Sequence, residues 1–268
     1  MAVNPVTGTL VAADEDNGAI MEFPTDVPTP ILNPALINIL AVRADFLALV
    51  TNVALEGGIA IDPQGNIYIT NDGGAINDDD VIFKLMSAGD LSILCTEAQL
   101  TAVAGIGPNV TLKVGMAFSG KLFVGDDGDC NCILEIDPVT CDPQILITEA
   151  QIIALTGGTS ADVEGGVCID TNMNLFIGDD GGTNEPNIIK VPILNPNLAS
   201  IFVSQAEIDN LYATISPGGN PRLEGSCGVK QVDTEVAIPT ISEWGLIAMG
   251  AILGIIGFIV ARRRMVKA

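Results

Sequence analysis

The chain contains no histidine among its 268 residues. Ser-His-Asp and Cys-His catalysis, histidine zinc sites and haem attachment through histidine are therefore excluded. Aromatic residues are scarce, at 8 Phe, 2 Tyr and 1 Trp, so few rings can stack on bases. Basic residues are also few, at 11 against 33 acidic ones, and a net charge of −22 repels nucleic-acid phosphates. Disorder is excluded as well, because 48% of the residues are hydrophobic and only 16% are charged.

The charge is unevenly distributed along the chain. Four of the 11 basic residues, Arg262, Arg263, Arg264 and Lys267, lie in the last seven positions. Residues 1–237 therefore hold 7 basic and 32 acidic residues, a net charge of −25. A long acidic body followed by a short basic tail predicts two parts in two different environments.

The C-terminal segment has the properties of a membrane helix. The stretch from Trp244 to Ala261 carries no charged residue, and as a helix it would span about 27 Å of a hydrocarbon core about 30 Å thick. The arginine cluster predicts that the tail is cytoplasmic and that the acidic body lies outside. Gly250 and Gly254 form a GxxxG pattern, which permits close approach of helices. A buried core helix is the alternative interpretation of this segment.

The residues before this helix form a recognisable motif, which reads IPTISEWG. Together with the helix and the arginines it resembles the IPTL-CTERM sorting tail of bacterial surface proteins, a relative of the PEP-CTERM group that exosortases handle. The usual pattern is IPTLSEWG, and Ile241 replaces its leucine. The resemblance covers residues 238–268 and implies export, anchoring in the cell envelope and processing by an exosortase-like enzyme. The motif residues are Ile238, Pro239, Thr240, Ile241, Ser242, Glu243, Trp244 and Gly245.

Residues 1–233 are repetitive. If Asp14, Asn71, Asp126 and Asp179 are equivalent, the repeats have periods of 57, 55 and 53 residues. Apolar residues recur at every second position in segments such as GNIYITNDGG and GKLFVGDDGD, which is typical of strands. A period of about 50 residues with paired short strands predicts β-propeller blades. The predicted parts are repeats 1–56, 57–113, 114–164 and 165–223, a closing strand at 224–233, a linker with the sorting motif at 234–245, and a transmembrane helix with its basic tail at 246–268.

A short helix is predicted after the fourth strand of each repeat. Residues 96–99, 148–151 and 204–207 each match the S/T-x-x-E/Q capping box, in register with one another. The body resembles NHL-type and gluconolactonase-like β-propellers, whose inner hairpins read much like GIAIDPQGNIYITN, although the helix departs from those families. The predicted fold is all-β, with four visible blades of four strands, each followed by a short capped helix, plus one C-terminal transmembrane helix.

The N-terminus leaves two interpretations open. Residues 1–5 align with the middle of a first strand, and no basic or apolar leader precedes them. Either upstream blades and a signal peptide are missing from the chain, or the strand at 228–233 closes a four-bladed ring.

Acidic residues recur at the ends of the predicted strands, where the loops of a propeller meet on one face. Crowded carboxylates repel one another unless they are protonated or neutralised by a cation. Oxygen ligands suit calcium, with magnesium or manganese as alternatives, whereas the structural alternative is that Asp-Gly only ends strands and forms turns. Lys113 takes one of these positions and is interpreted as a solvated lysine. The predicted ligands are Asp14, Asp16, Glu56, Asn71, Asp72, Asp126, Asp127, Glu164, Asp179, Asp180 and Glu224, and the second repeat adds Asp78, Asp79 and Asp80.

Two kinds of function fit these features. A structural or binding protein of the cell surface, stabilised or bridged by calcium, is the main prediction, with self-association or an anionic surface polysaccharide as its partner. The gluconolactonase resemblance implies a metal-dependent lactonase or esterase, with Asn71, Asp180 and one of the glutamates as ligands. An acidic turn repeated in every blade argues against catalysis, because a catalytic site draws different residues from different blades. No catalytic residue is therefore predicted.

Six cysteines are present, and an exported protein favours disulfides over thiolate metal sites. Cys130 and Cys132 would point to the same side of an extended strand and lie too far apart to bridge, so one of them is predicted to pair with Cys141. Cys168 and Cys227 lie near equivalent points of successive first strands, which predicts a link between blades. Cys95 aligns with Ile147 and is interpreted as a plain apolar residue. A CxC…C metal site is the alternative.

Overall fold

The computed structural model describes residues 1–25, 34–73, 80–163, 165–180 and 186–215. The chain divides into two compact units, Met1–Val229 and Lys230–Ala268. All of the described residues belong to the first unit. The sorting motif, Arg262, Arg263, Arg264 and the predicted closing strand lie outside the described residues.

The described residues form a β-propeller of four blades, each a four-stranded antiparallel meander in which neighbouring strands follow one another in sequence. Blade 1 consists of β1 (Ala2–Val3), β2 (Leu10–Asp14), β3 (Ala19–Phe23) and β4 (Asn38–Ala41). Blade 2 consists of β5 (Ile59–Ile61), β6 (Ile67–Asn71), β7 (Val81–Leu85) and β8 (Leu91–Cys95). Blade 3 consists of β9 (Met116–Phe118), β10 (Leu122–Asp126), β11 (Cys132–Ile136) and β12 (Pro143–Ile147). Blade 4 consists of β13 (Val167–Ile169), β14 (Asn174–Asp179), β15 (Asn187–Pro192) and β16 (Ser200–Val203).

The core lies between successive blades, because each second strand is apolar on both faces. Ile67 and Ile69 pack in the cluster shared by blades 1 and 2, whereas Tyr68, which points the other way, packs in the cluster shared by blades 2 and 3. Phe123 on β10 likewise contributes to the cluster between blades 3 and 4. The first strands of successive blades contact one another in the order β1, β5, β9 and β13.

An irregularity recurs at one place in every blade. The register between the third and fourth strands shifts by one residue, which is the pattern of a β-bulge. In blades 2 and 3 the shift falls between Ile82 and Phe83 and between Ile133 and Leu134. A bulge increases the local twist of the strand pair, so the outer edge of each blade bends at the same level.

A short helix follows the fourth strand in each blade. These helices are α1 (Arg43–Leu47), α2 (Glu97–Thr101), α3 (Glu149–Thr156) and α4 (Gln205–Ile215). At the start of α2, Thr96 Oγ1 accepts a hydrogen bond from Gln99 N–H at 3.4 Å, and Gln99 Oε1 accepts one from Thr96 N–H at 3.0 Å. The same reciprocal bonds join Thr148 and Gln151 at the start of α3, so a glutamine side chain accepts from the backbone N–H of the capping threonine at each of these helix starts.

Within the part of the chain that the structure describes, no helix is long and apolar enough to cross a membrane. The predicted transmembrane helix at 246–268 lies outside that part.

Candidate cation site at the exits of the second strands

The residue that ends the second strand has the same structural task in blades 2, 3 and 4. Its side-chain oxygen accepts a hydrogen bond from a backbone N–H in the loop that leads into the blade. The three pairs are Ala54 N to Asn71 Oδ1 at 2.9 Å, Thr111 N to Asp126 Oδ1 at 2.8 Å, and Asp162 N to Asp179 Oδ1 at 2.8 Å. We call this arrangement the exit clasp.

A second hydrogen bond completes the exit clasp in each of these blades. The N–H of the following residue donates to the carbonyl of the same loop residue, as in Asp72 N to Ala54 O at 2.9 Å and Asp127 N to Thr111 O at 3.0 Å. Blade 4 repeats it with Asp180 N to Asp162 O at 2.7 Å. Because a neutral amide, Asn71, serves as well as an aspartate, the clasp requires an acceptor oxygen and no charge. The sequence repeat of acidic strand ends therefore has a structural cause.

Blade 1 ends its second strand differently. Asp14 folds back on its own turn, where its carboxylate accepts hydrogen bonds from the backbone N–H of Asn17 at 3.1 Å and from Asn17 Nδ2 at 2.8 Å. These bonds hold the pKa of Asp14 below its ordinary value. Asp16 is exposed in the same turn. Both residues are thus accounted for by turn formation.

The structure brings two of the predicted ligands together around Lys113. Lys113 Nζ lies 3.2 Å from Asp72 Oδ2 and 3.9 Å from Glu56 Oε2. Asp72 is nearly buried, whereas Lys113 and Glu56 are partly exposed. The contact with Asp72, and then its charge, raise the pKa of Lys113. Lys113 is exposed, as its interpretation as a solvated lysine expected, but it also forms ion pairs with the acidic residues beside it. Its position among acidic equivalents was the signal for this pairing.

Asp80, at the start of the third strand of blade 2, belongs to the same group. Asp80 is 6% exposed, and its side-chain oxygen Oδ1 has no hydrogen-bond partner among the described residues. The carboxyl of Asp80 is in hydrogen-bonding contact with that of Asp72, and burial followed by the charge of Asp72 raises the pKa of Asp80 to about 8. Two carboxylates in such contact need a shared proton or a cation between them.

We call Glu56, Asp72, Asp80 and Lys113 the blade 2 acidic cluster. Glu15 of blade 1 lies next to this cluster, because its charge and a side-chain hydrogen bond with it contribute to raising the pKa of Glu56. Burial is the largest cause of the raised pKa of Glu56. The cluster holds several acidic side chains and one lysine, so Lys113 compensates only part of the negative charge. Asp78, Asp79, Glu164 and Glu224 lie outside the described residues.

Asn71 forms hydrogen bonds at both ends of its side-chain amide. The residue is fully buried, its Oδ1 accepts from Ala54 N–H, and its Nδ2 donates to the carbonyl of Asn52 at 3.3 Å. Both ends of the amide are therefore engaged in the exit clasp. Asn71 and Asp180 were predicted as ligands together with one of three glutamates, and two of these, Glu164 and Glu224, lie outside the described residues.

The disulfides differ from the predicted pairs. Cys95 bonds to Cys141, and Cys130 bonds to Cys132. The predictions that Cys141 pairs with Cys130 or Cys132 and that Cys95 is a plain apolar residue were wrong. Cys130 lies in a turn before β11, where Asn131 has a φ of 42°, so the chain folds back and the two Cα atoms are 5.1 Å apart. Cys168 is also disulfide-bonded, and its predicted partner Cys227 lies outside the described residues.

Residues 236–264 match the model of the IPTL-CTERM motif. This match confirms the resemblance of the C-terminal segment, and such a motif is typical of exported proteins that are sorted to the cell envelope through an exosortase-like system. It covers a small part of the chain and does not describe the propeller. No curated protein matches the chain significantly in sequence.

Several solved structures resemble the chain. TolB from Acinetobacter baumannii is 10% identical with a TM-score of 0.46, and the alignment covers 73% of this chain and 40% of TolB. A prolyl endopeptidase is 12% identical with a TM-score of 0.41, covering 71% of this chain and 25% of that protein. An X-ray structure assigned as a gluconolactonase is 14% identical with a TM-score of 0.39, covering 75% of this chain and 66% of that one. The chain thus spans less than two thirds of the length of each of these proteins.

Proposed function

We propose that this protein is an exported structural or binding propeller of the bacterial cell envelope, which binds a divalent cation, calcium, at the blade 2 acidic cluster. The C-terminal sorting motif supports the envelope location. The cluster supports the cation, because its ligands are all carboxylate oxygens, which calcium prefers.

The observation that carries the cation site is the contact between Asp72 and Asp80. Asp80 is buried, its Oδ1 has no hydrogen-bond partner among the described residues, and its carboxyl contacts that of Asp72. A buried acceptor without a donor destabilises the folded chain by about 1–3 kcal/mol. A cation between the two carboxylates satisfies this oxygen and replaces the shared proton.

Lys113 determines how strong the site is. Its ammonium group already lies 3.2 Å from Asp72 and takes up part of the negative charge. A bound cation has to share Asp72 with Lys113 or displace its side chain, which is 49% exposed and free to move outward. Calcium binding is therefore expected in the millimolar range that is typical of extracellular modules.

Calcium titration of the full chain, followed by thermal unfolding at neutral pH, tests the proposal. We expect calcium at about ten times its Kd, roughly 10 mM, to raise Tm by several degrees, since a ligand that binds only the folded state stabilises it by about 1.4 kcal/mol at that concentration. Asp80→Asn keeps the size of the side chain but removes its charge, and it should abolish most of the shift. Asp90→Asn is the matched control. Asp90 is exposed and lies in the turn between β7 and β8, at the opposite end of β7 from Asp80.

Two outcomes would contradict the proposal. If the wild-type chain shows no change in Tm at millimolar calcium, it has no such site. If Asp80→Asn and the wild-type chain respond equally, the cation binds elsewhere. Light scattering during the same titration detects whether calcium also bridges molecules, which separates self-association from binding within one chain.

A further inference from the structure

The turn that joins the second and third strands of blade 3 brings together three metal-ligating side chains. Asp126 is the last residue of β10, and Cys132, the first residue of β11, is its partner across the strand pair. Cys130 lies in the turn between them. One ligand atom from each of the three lies within 4.8 Å of the other two.

All three side chains are buried. Asp126 and Cys132 are both 0% exposed and Cys130 is 6% exposed. Asp126 Oδ1 accepts hydrogen bonds from the N–H groups of Thr111 at 2.8 Å and Gly128 at 2.9 Å. Asp126 Oδ2 has no hydrogen-bond partner among the described residues. The backbone N–H of Cys130 is close to the carboxyl group and acts to lower its pKa, against the larger effect of burial. One acidic oxygen is thus buried beside two sulfur atoms without a donor.

The Cys130–Cys132 disulfide does little as a crosslink. Cys95–Cys141 ties together residues 46 positions apart, from the end of β8 to the turn before β12. Cys130–Cys132 encloses a single residue. A disulfide stabilises a protein by restricting its unfolded chain, and this effect decreases as the enclosed loop becomes shorter. Chain entropy therefore does not explain why two cysteines stand beside a buried aspartate.

We infer that, when reduced, Cys130 and Cys132 form a metal site with Asp126 that binds a thiophilic divalent cation such as zinc. Thiolate and carboxylate are both zinc ligands, and three protein ligands leave a fourth position for water or another donor. The metal also gives Asp126 Oδ2 the partner that it lacks in the disulfide form.

The conversion between the two forms balances as follows. A dithiol reductant transfers two electrons and two protons, so the S–S bond breaks, two thiols form, and the reductant leaves as its own disulfide. The metal then replaces the two thiol protons, which go to solvent as two metal–sulfur bonds form. A small-molecule disulfide reverses the sequence: it accepts two electrons from the two thiolates and leaves as two thiols, the S–S bond re-forms, and the metal is released. The site is thus available only under reducing conditions.

Cobalt binding to the full chain tests the inference, because thiolate-bound cobalt has a charge-transfer absorption that carboxylate-bound cobalt lacks. The chain is reduced with a phosphine, which competes less for metal than a dithiol does, and cobalt is added under anaerobic conditions. We expect one cobalt per reduced chain with a thiolate charge-transfer band, displaced by zinc, and no such band from the oxidised chain. Cys130→Ser and Cys132→Ser should each lose most of the band.

Asp126→Asn tests the carboxylate without endangering the fold. Asn71 occupies the same position in the exit clasp of blade 2, so an amide is compatible with this backbone. The variant should keep the thiolate band but bind cobalt at least about tenfold more weakly. Asp179→Asn changes the equivalent residue of blade 4 and should leave the affinity unchanged.

Reduction also opens the other disulfides, so the double variant Cys95→Ala/Cys141→Ala is needed as a background. It should retain the cobalt band. Two results would assign the metal to other cysteines. One is loss of the band in this background while Cys130→Ser keeps it. The other is a band that survives in both Cys130→Ser and Cys132→Ser. Absence of any band from the reduced wild-type chain would overturn the inference. Calcium binding at blade 2 is independent of all these outcomes.

Discussion

Blades 2 and 3 end their second strands with the same backbone hydrogen bonds but with different chemistry around them. In both, a side-chain oxygen holds the loop that leads into the blade, through Asn71 in one and Asp126 in the other. Beside Asn71 lie Asp72, Asp80 and Lys113, whereas beside Asp126 lie two cysteines. The comparison teaches that the repeated feature is structural, and that the departures from the repeat carry the candidate sites.

The two exits also differ in how they bury negative charge. In blade 2 the residue of the exit clasp, Asn71, is neutral. The acidic residues lie next to it, in the blade 2 acidic cluster with Lys113. Blade 3 buries a carboxylate directly, and desolvation raises the pKa of Asp126. Each difference can be tested by a substitution that makes one exit resemble the other.

The largest expected effect is a fall in stability with rising pH caused by Asp80. Its pKa is about 8 in the folded chain and 3.8 as a free group, so the folded chain binds more protons than the unfolded chain between these values. The free energy of unfolding therefore decreases as pH rises, by up to about 3 kcal/mol between about pH 5 and 7.5. Urea unfolding in the absence of divalent ions measures this change.

The control for this pH effect is Asp80→Asn, which should show a much flatter profile over the same range. Asp126→Asn should flatten the profile in the same direction, since the pKa of Asp126 is also raised by burial. Equal slopes for the wild-type chain and Asp80→Asn would show that Asp80 is ionised normally in the folded chain.

Truncating the clasp residues should give the next largest effect. Asp126→Ala leaves the N–H groups of Thr111 and Gly128 without their acceptor, which should cost about 2–3 kcal/mol of unfolding free energy. Asn71→Ala removes the acceptor of Ala54 N–H and should cost about 1–2 kcal/mol. Chemical denaturation measures both. A loss below 0.5 kcal/mol in both variants would remove the structural explanation of the repeat.

Exchanging the two clasp residues should have smaller and unequal effects. Asn71→Asp loses the donor to the carbonyl of Asn52 and adds a charge close to the blade 2 acidic cluster, so we expect a loss of about 1–2 kcal/mol at neutral pH. Asp126→Asn keeps an acceptor oxygen and removes a buried charge, so its stability should change by less than about 0.5 kcal/mol. Thermal unfolding at one pH is sufficient, and a reversed order would contradict the assignment of the charges.

Lys113→Gln should also change stability only slightly. Its ion pairs are half-exposed, so their loss should cost less than about 1 kcal/mol. Calcium affinity should increase about fivefold, because a positive charge near Asp72 is removed. Lys121→Gln is the matched control, since it removes a partly exposed ion pair, with Asp137 at 2.8 Å, within blade 3 and outside the blade 2 acidic cluster. An unchanged calcium affinity in Lys113→Gln would place the cation away from Asp72.

Local sequence was sufficient for the features that depend on neighbouring residues. The alternation in β6 and β10, the turns between strands and the capping pairs Thr96–Gln99 and Thr148–Gln151 all act over a few positions. The propeller fold and the sorting motif followed from the repeat and from one contiguous segment. The ion pairs of Lys113 were not predicted, because its partners Asp72 and Glu56 come from another blade and lie more than 40 residues away.

The cysteines show the same limit. Alternation along an extended strand excluded a bond between Cys130 and Cys132, but the left-handed conformation of Asn131 turns the chain and brings them together. Cys95 and Cys141 come from neighbouring blades whose packing no short segment specifies.

The sequence by itself determined that the chain is a repetitive β protein with an acidic body, a basic tail and a sorting motif, because these depend on composition, period and contiguous residues. Only the tertiary structure decided which carboxylates share a site. Asp72 and Asp80 meet because β6 and β7 pair in antiparallel register, and Lys113 joins them because blade 3 packs on blade 2. Charge is a property of each residue, whereas proximity between charges depends on strand pairing and blade packing.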